Sequence, residues 1–337
     1  LLSKLSKFSL KTWILAAIIG VAVMLVVYEQ FGMLFLEAIL YQTLKLVPAL
    51  LLAALGELIA EKSGVLNLGV EGLMLMGAFT AFGVTYVTGD PVIGVLAAMG
   101  FTVLLGLAFS FFAISLRTNQ VVIGLGLWLF GLGLSDTLNR AFFTSGAPST
   151  IPIIGDMHIP VLSTLPLIGR FIFQQNPIVY ISIALIPVVD IFLNRTSLGV
   201  KIRAVGENPR AAETMGVDVY KIRYVAVLIG AAFAGAGGAY YTTTLLGTFI
   251  LNITFSRGFI ALALIYFGKW KPYKVLLPLI VFSFVDSFQL GLQGAGVPIK
   301  YFFLNMLPYI TIVALIPILG RKAIAPAALM QPYKKGG

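Results

Sequence analysis

Residues 194–224 read NRTSLGVKIRAVGENPRAAETMGVDVYKIRY, a polar stretch with strongly apolar sequence on both sides. Six of its residues are basic, and its centre carries the signals of a short helix. Asn208 suits an N-cap, Pro209 fits the first helical position where no N–H is needed, and Gly216 can take the left-handed conformation that ends a helix. The predicted helix is about two turns long. Its body, Arg210-Ala211-Ala212-Glu213-Thr214-Met215, has no apolar face long enough to build a core. It presents small residues among charges, a surface suited to a shallow cleft on a partner. An ordinary connecting loop with one capped turn would read the same way, so the flanking sequence has to decide.

Those flanks belong to a membrane protein. Hydrophobic residues make up 59% of the chain and charged residues 11%, where a soluble domain carries charge on roughly a quarter of its positions. Mean hydropathy is +1.00. Apolar runs near the ~20 residues needed to cross a bilayer recur along the whole chain, which points to an all-α, polytopic integral membrane protein rather than one buried core. Ten spans are predicted: 12–28, 34–58, 65–87, 91–115, 120–136, 177–193, 224–245, 255–267, 273–290 and 301–319. The third, fifth and eighth are short or interrupted by glycine and polar residues, so charge has to test them.

With ten spans, both ends and the 194–224 loop fall on one side. That side collects eighteen basic residues, among them Lys4, Lys7, Lys11, Lys62, Arg117, Lys269, Lys271, Arg321 and the loop's own six. The other side holds Arg140, Arg170, Arg257 and Lys300, and Lys45 lies within a span. Because cytoplasmic loops carry the lysine and arginine excess, the loop and both termini are expected in the cytoplasm. The net charge of +10 then reflects insertion topology and contact with anionic lipid headgroups, not nucleic-acid binding. The first apolar run is longer than a signal-peptide core and Tyr28-Glu29-Gln30 lacks small residues for cleavage, so it is expected to be a retained span.

An internal symmetry accompanies this topology. Leu66-Asn67-Leu68-Gly69-Val70-Glu71-Gly72-Leu73-Met74-Leu75-Met76-Gly77 is a polar, glycine-bearing lead-in followed by an apolar helix. Asn252-Ile253-Thr254-Phe255-Ser256-Arg257-Gly258-Phe259-Ile260-Ala261-Leu262-Ala263 repeats that order. The ten-span topology runs the two in opposite directions, as in inverted repeats whose broken helices line a substrate path. The expected organisation is one membrane domain over residues 1–337. Its halves are 12–136 and 177–319, joined by an extracytoplasmic segment, 137–176. Gly230, Ala234 and Gly238 recur every fourth residue, which allows close helix approach.

Several chemistries are poorly supported. There is no cysteine, so neither a disulfide nor a thiolate metal site exists; His158 is the only histidine. No G-x-x-x-x-G-K-[ST] phosphate loop occurs, and Gly268-Lys269-Trp270 lacks the hydroxyl that would hold magnesium. One histidine cannot furnish a serine-hydrolase triad. The carboxylates are few and dispersed for the proton relay that would make the chain a secondary transporter, and a stand-alone transporter or channel stays open as the alternative class. Polar residues inside spans are default pathway candidates: Asn67, Glu71, Gln120, Asn252, Asp286 and Gln289, with the aromatic Trp128 able to stack a flat ligand. Glu71 could equally pair with Lys62 or cap a helix.

Three ordered blocks carry a family resemblance. Gly56-Glu57-Leu58-Ile59-Ala60-Glu61-Lys62-Ser63-Gly64-Val65-Leu66-Asn67-Leu68-Gly69-Val70-Glu71-Gly72 resembles the permease subunits of bacterial and archaeal ABC importers for nucleosides and simple sugars. So do Gly199-Val200-Lys201-Ile202-Arg203-Ala204-Val205-Gly206-Glu207-Asn208-Pro209-Arg210-Ala211-Ala212-Glu213-Thr214-Met215-Gly216-Val217 and Arg257-Gly258-Phe259-Ile260-Ala261-Leu262-Ala263 with Phe267-Gly268-Lys269-Trp270. The resemblance implies a ribose-permease-like subunit of the cell membrane that pairs with a second permease. It has no cofactor of its own, since separate cytoplasmic ATPase subunits hold ATP and magnesium. A soluble or lipid-anchored binding protein would deliver substrate. The resemblance also makes Glu207, Asn208, Pro209, Arg210, Ala211, Ala212, Glu213 and Gly216 the coupling helix that docks on the ATPase. The sequence around Gly64-Val65-Leu66-Asn67 resembles nucleoside-type members more than ribose-type ones, with branched-chain amino acid permeases as more distant relatives.

Overall fold

The computed structural model describes Met24 and residues 27–143, 150–158, 160, 163, 168–319 and 323–334. Its order is α1 (Met33–Lys62), α2 (Val70–Thr88), α3 (Pro91–Ser110), α4 (Gln120–Phe143), β1 (Met157–His158), α5 (Ile168–Phe173), β2 (Gln174–Gln175), α6 (Pro177–Arg195), α7 (Ser197–Glu207), α8 (Pro209–Thr214), α9 (Val219–Tyr240), α10 (Arg257–Phe267), α11 (Pro272–Gly294) and α12 (Tyr301–Leu319). A π turn extends α3 through Phe111–Ser115 and another extends α9 through Tyr241–Leu246. Seven of these helices are long and apolar enough to cross a membrane, and α10 and α12 are shorter apolar helices. The chain is an all-α integral membrane protein.

Helix starts follow their capping residues. Asp90 accepts from the Val92 N–H at 2.8 Å with Pro91 at the first position, and Asn176 does the same for Ile178 at 2.9 Å with Pro177. Asp218 takes the Lys221 N–H at 3.1 Å and starts α9 five residues before the predicted span. The span predicted at 65–87 becomes helical only at Val70, because residues 65–69 run irregularly. The one predicted at 255–267 is an 11-residue half-helix preceded by irregular chain. The fifth runs on to Phe143. Of the first predicted span, Met24 and residues 27 and 28 are helical and the rest lies outside the described residues.

Backbone proximity builds the centre. A Cβ on Gly238 of α9 would lie 1.9 Å from the Met74 carbonyl oxygen of α2. One on Gly77 of α2 would lie 2.5 Å from the Gly235 carbonyl, and one on Gly56 of α1 would lie 2.8 Å from the Gly230 carbonyl. Three helices thus meet along glycines, the small-residue mode of association that lipid-embedded helices use in place of a hydrophobic drive. Around them α3, α4, α6 and α12 turn Leu96, Leu104, Leu129, Val188 and Val313 outward, the apolar face that hydrocarbon requires. On the side opposite α8, residues 150–156 bond to the end of α9: Ile151 N–H to the Gly247 carbonyl at 2.9 Å, Ile154 N–H to that of Thr243 at 2.8 Å. Asp156 reaches Lys45 of α1 at 3.4 Å and accepts from the Tyr41 hydroxyl. His158 is exposed in the two-residue strand β1.

Candidate functional site

The two polar lead-ins that the sequence sets in parallel are brought together by the fold. Irregular backbone buried inside a membrane protein is cut off from bulk water, so its N–H groups need acceptors from the protein. In residues 65–69, the Leu66 N–H donates to Oε1 of Gln120 at 2.9 Å and the Asn67 N–H to Oε1 of Glu57 at 2.7 Å. The side chain of Asn67 takes the Gly69 N–H at 2.9 Å. Gln120, Asn67 and Glu57 are buried and form one scaffold for the start of α2.

The second lead-in depends on α2 itself. Residues Asn252, Phe255 and Ser256 have positive φ, and Ser256, at the N-cap of α10, makes no side-chain capping bond. Glu71, fully buried one residue into α2, supplies the missing acceptors. Its carboxylate receives the Ser256 N–H at 2.9 Å, the Gly258 N–H at 2.6 Å and the Thr254 hydroxyl. The start of one half-helix is therefore capped by a carboxylate from the start of another, a favourable place for negative charge because the N-terminal N–H groups are otherwise orphaned. The approach is backbone to backbone: a Cβ on Gly258 would sit 2.7 Å from both N and Cα of Glu71. Of the two roles the sequence left open for Glu71, capping is the one observed.

A ladder of polar side chains leads away from this junction. Arg257, the first residue of α10, donates to Oδ2 of Asp286 on α11 at 2.6 Å and lies over the rings of Tyr241 and Phe255 at 5.7 Å. Asp286 Oδ1 accepts from Gln289 at 3.2 Å, Gln289 accepts from Gln293, and Gln293 donates to Asn305 of α12 at 2.9 Å. Trp128 of α4 meets Phe259 of α10 edge to face at 5.2 Å. Asn252 is half-buried and its carbonyl accepts the Phe255 N–H at 2.9 Å. The sequence counted Arg257 with the outer loop charges, but its partner is an aspartate inside a predicted span. It also passed over Glu61, whose carboxylate accepts from the indole of Trp270 and ties the α10–α11 turn to the end of α1.

At the other end of the molecule, α8 has the predicted form. Asn208 Oδ1 accepts the Ala211 N–H at 3.0 Å, Pro209 is the first helical residue, and Gly216 has φ of +81°. The Gly216 N–H returns to the Glu213 carbonyl at 2.8 Å and the Val217 N–H to that of Ala212 at 3.0 Å, closing the helix end. Ala212 is buried, while Glu207, Asn208, Arg210, Ala211 and Gly216 are exposed, and Met215 is 84% exposed. An unannounced amphipathic helix, α7, precedes it and buries Ile202 and Val205, so the 194–224 loop is two helices with short joints.

Comparison with known proteins bears on this architecture. Residues 39–316 match the family described as branched-chain amino acid transport system / permease component. The chain belongs to this family. As a permease component it has relatives along nearly its whole length. A putative glucose ABC transporter permease of Haloferax volcanii is 38% identical over 330 residues, covering 90% of this chain and 99% of the relative. The guanosine ABC transporter permease of Bacillus subtilis is 38% identical over 316 residues, covering 89% and 98%. A nucleoside ABC transporter permease of Lactococcus lactis is 34% identical over 295 residues, covering 83% and 91%. No solved structure matches. The resemblance drawn from the three sequence blocks is thereby confirmed.

Proposed function

We propose that this permease forms, with a second permease subunit, the membrane path of an ATP-driven importer whose substrates are nucleosides. The observation that carries the substrate class is the pair of full-length relatives that move guanosine and nucleosides. The glucose relative from Haloferax supports simple sugars as the second reading. Permease components are not themselves enzymes, so the ATP and magnesium are assigned to a cytoplasmic ATPase and substrate delivery to a binding protein. The charge bias puts α8 and both termini in the cytoplasm. There α8 offers Arg210, Ala211 and Met215 to the ATPase as a coupling helix. Closure of the ATPase pair can shift the permease only if its contacts with α8 differ between the inward- and outward-facing states. We take the meeting of α2 and α10 at Glu71 as the point where two broken helices are displaced together, a reading supported by the contacts that gather Asn67, Gln120 and Trp128 around the starts of α2 and α10.

The test uses the permease pair, ATPase and binding protein in proteoliposomes, with labelled guanosine and glucose offered separately. Guanosine uptake that requires ATP supports the nucleoside reading. Glucose uptake alone replaces it with the sugar reading, and uptake driven by an ion gradient without the ATPase overturns the importer assignment. Calorimetry of the binding protein against the same two ligands gives an independent answer on substrate.

A further inference from the structure

Residues 323–334 form an irregular strap across the face that carries α8, and its fastenings fall on α8 or on the helix ends around it. The Ala328 N–H donates to the Gly206 carbonyl at the end of α7 at 2.9 Å, and the Met330 N–H donates to the Gly64 carbonyl just past α1 at 3.1 Å. Gly64 has φ of +90°, and a Cβ there would lie 2.9 Å from the Ala328 carbonyl, so glycine is needed for both the turn and the contact. Arg223 of α9, 1% exposed, donates through a terminal guanidinium nitrogen to the Gln331 carbonyl at 3.0 Å. Tyr220 of α9 donates its hydroxyl to the Tyr333 carbonyl at 3.1 Å, and the two rings stand edge to face at 5.9 Å. Tyr333 in turn donates its hydroxyl to the carboxylate of Glu213 on α8. Burial and the Glu213 carboxylate push the Tyr333 phenol up to about 12, which keeps the proton on tyrosine.

Alongside these fastenings the strap and α8 enclose an open cleft of about 400 Å³. Glu207, Asn208, Pro209 and Arg210 line it from the α7–α8 joint and the start of α8, and Ala327, Gln331 and Lys334 line it from the strap. Each segment brings one cation to the lining, Arg210 from α8 and Lys334 from the strap, against the single carboxylate of Glu207.

We propose that the strap is the second half of the ATPase seat. It clamps α8 to α1, α7 and α9 through Tyr333 and Glu213, and the ATP-hydrolysing subunit docks in the cleft with an acidic side chain between Arg210 and Lys334. The clamp gives a push on α8 a rigid route into α1 and α9, two of the helices at the centre of the fold. This rests on α8 being the ATPase-docking helix. Tyr333 is a positioning residue, and the cleft fits a protein surface bearing carboxylates.

Because the chain has no cysteine, single thiols can be placed at will. Arg210→Cys and Ala327→Cys, each carrying a short photoactivatable maleimide, are tested in the assembled permease–ATPase complex. Crosslinks to the ATPase from both positions support the composite seat. A crosslink from position 210 alone overturns the strap's part and leaves the coupling-helix reading standing, whereas none from either position overturns both. Tyr333→Phe tests the clamp by removing one hydrogen bond to a charged group. Import per ATP hydrolysed should then fall roughly tenfold or more while complex assembly is unchanged. A coupling ratio equal to that of the unaltered protein overturns the clamp.

Discussion

Replacing Glu71 with alanine removes the acceptor of two backbone N–H groups and one hydroxyl at the start of α10. The Thr254 hydroxyl can rotate toward another acceptor, but the Ser256 and Gly258 N–H groups are fixed by the chain. Each buried donor left without a partner costs about 1–3 kcal/mol, so the pair costs about 2–6 kcal/mol. Against a typical total stability of about 5–15 kcal/mol this is a large fraction. Glu71→Gln keeps the shape and one acceptor oxygen but turns an NH2 toward the remaining donor, so it should fall between the alanine variant and the parent. The assay is thermal unfolding of the purified permease in detergent, followed by tryptophan fluorescence, since Trp128 packs on Phe259 of α10. The expected order of midpoints is parent, then Glu71→Gln, then Glu71→Ala lowest by several degrees. If Glu71→Ala unfolds at the parental temperature, Glu71 does not cap α10 and the account of the junction is wrong.

Asp286→Ala should destabilise by about 3–5 kcal/mol, because the Arg257 cation stays buried without its partner. Adding Arg257→Met should restore part of that loss in the same unfolding assay, and a double variant as weak as the single one argues against the pairing. Asn208→Ala should cost about 1 kcal/mol locally by uncapping α8. Its signature is ATP-driven import that drops while membrane insertion, read by fractionation, is unchanged. Gly238→Ala should cost about 1–3 kcal/mol or more, since its new Cβ would lie 1.9 Å from the Met74 carbonyl; a parental melting midpoint would contradict the close packing of α2 and α9.

What the sequence made legible follows the strength of its local signals. The starts at Pro91, Pro177 and Pro209 are read correctly because an Asp or Asn before a proline caps the helix through its own neighbours. The glycine stripe of α9 is legible for a similar reason, since small residues at every fourth position have few uses other than close packing. Features made by distant partners were less accessible. Nothing near Glu71 says that its carboxylate caps a helix 185 residues further on, although the matching order of the two lead-ins pointed to their shared role. Arg257 reads as a loop charge until Asp286 is placed beside it. α7 was hidden because its buried side, Gly199, Ile202, Val205 and Gly206, is half glycine. The strap was hidden because its anchors are mainly backbone carbonyls, which side-chain patterns do not reveal.

Whether α8 couples ATP hydrolysis to transport is read from initial-rate guanosine import by proteoliposomes holding the complete complex, measured with and without ATP and with Gly216→Val beside the parent. Gly216 has φ of +81°, a conformation that costs a β-branched residue about 1–2 kcal/mol, so the substitution disturbs the end of α8 and leaves the spans intact. The parent should import only with ATP, and the variant should go on hydrolysing ATP with import reduced several-fold. ATP-independent import by the parent, or full import by the variant, would contradict that coupling.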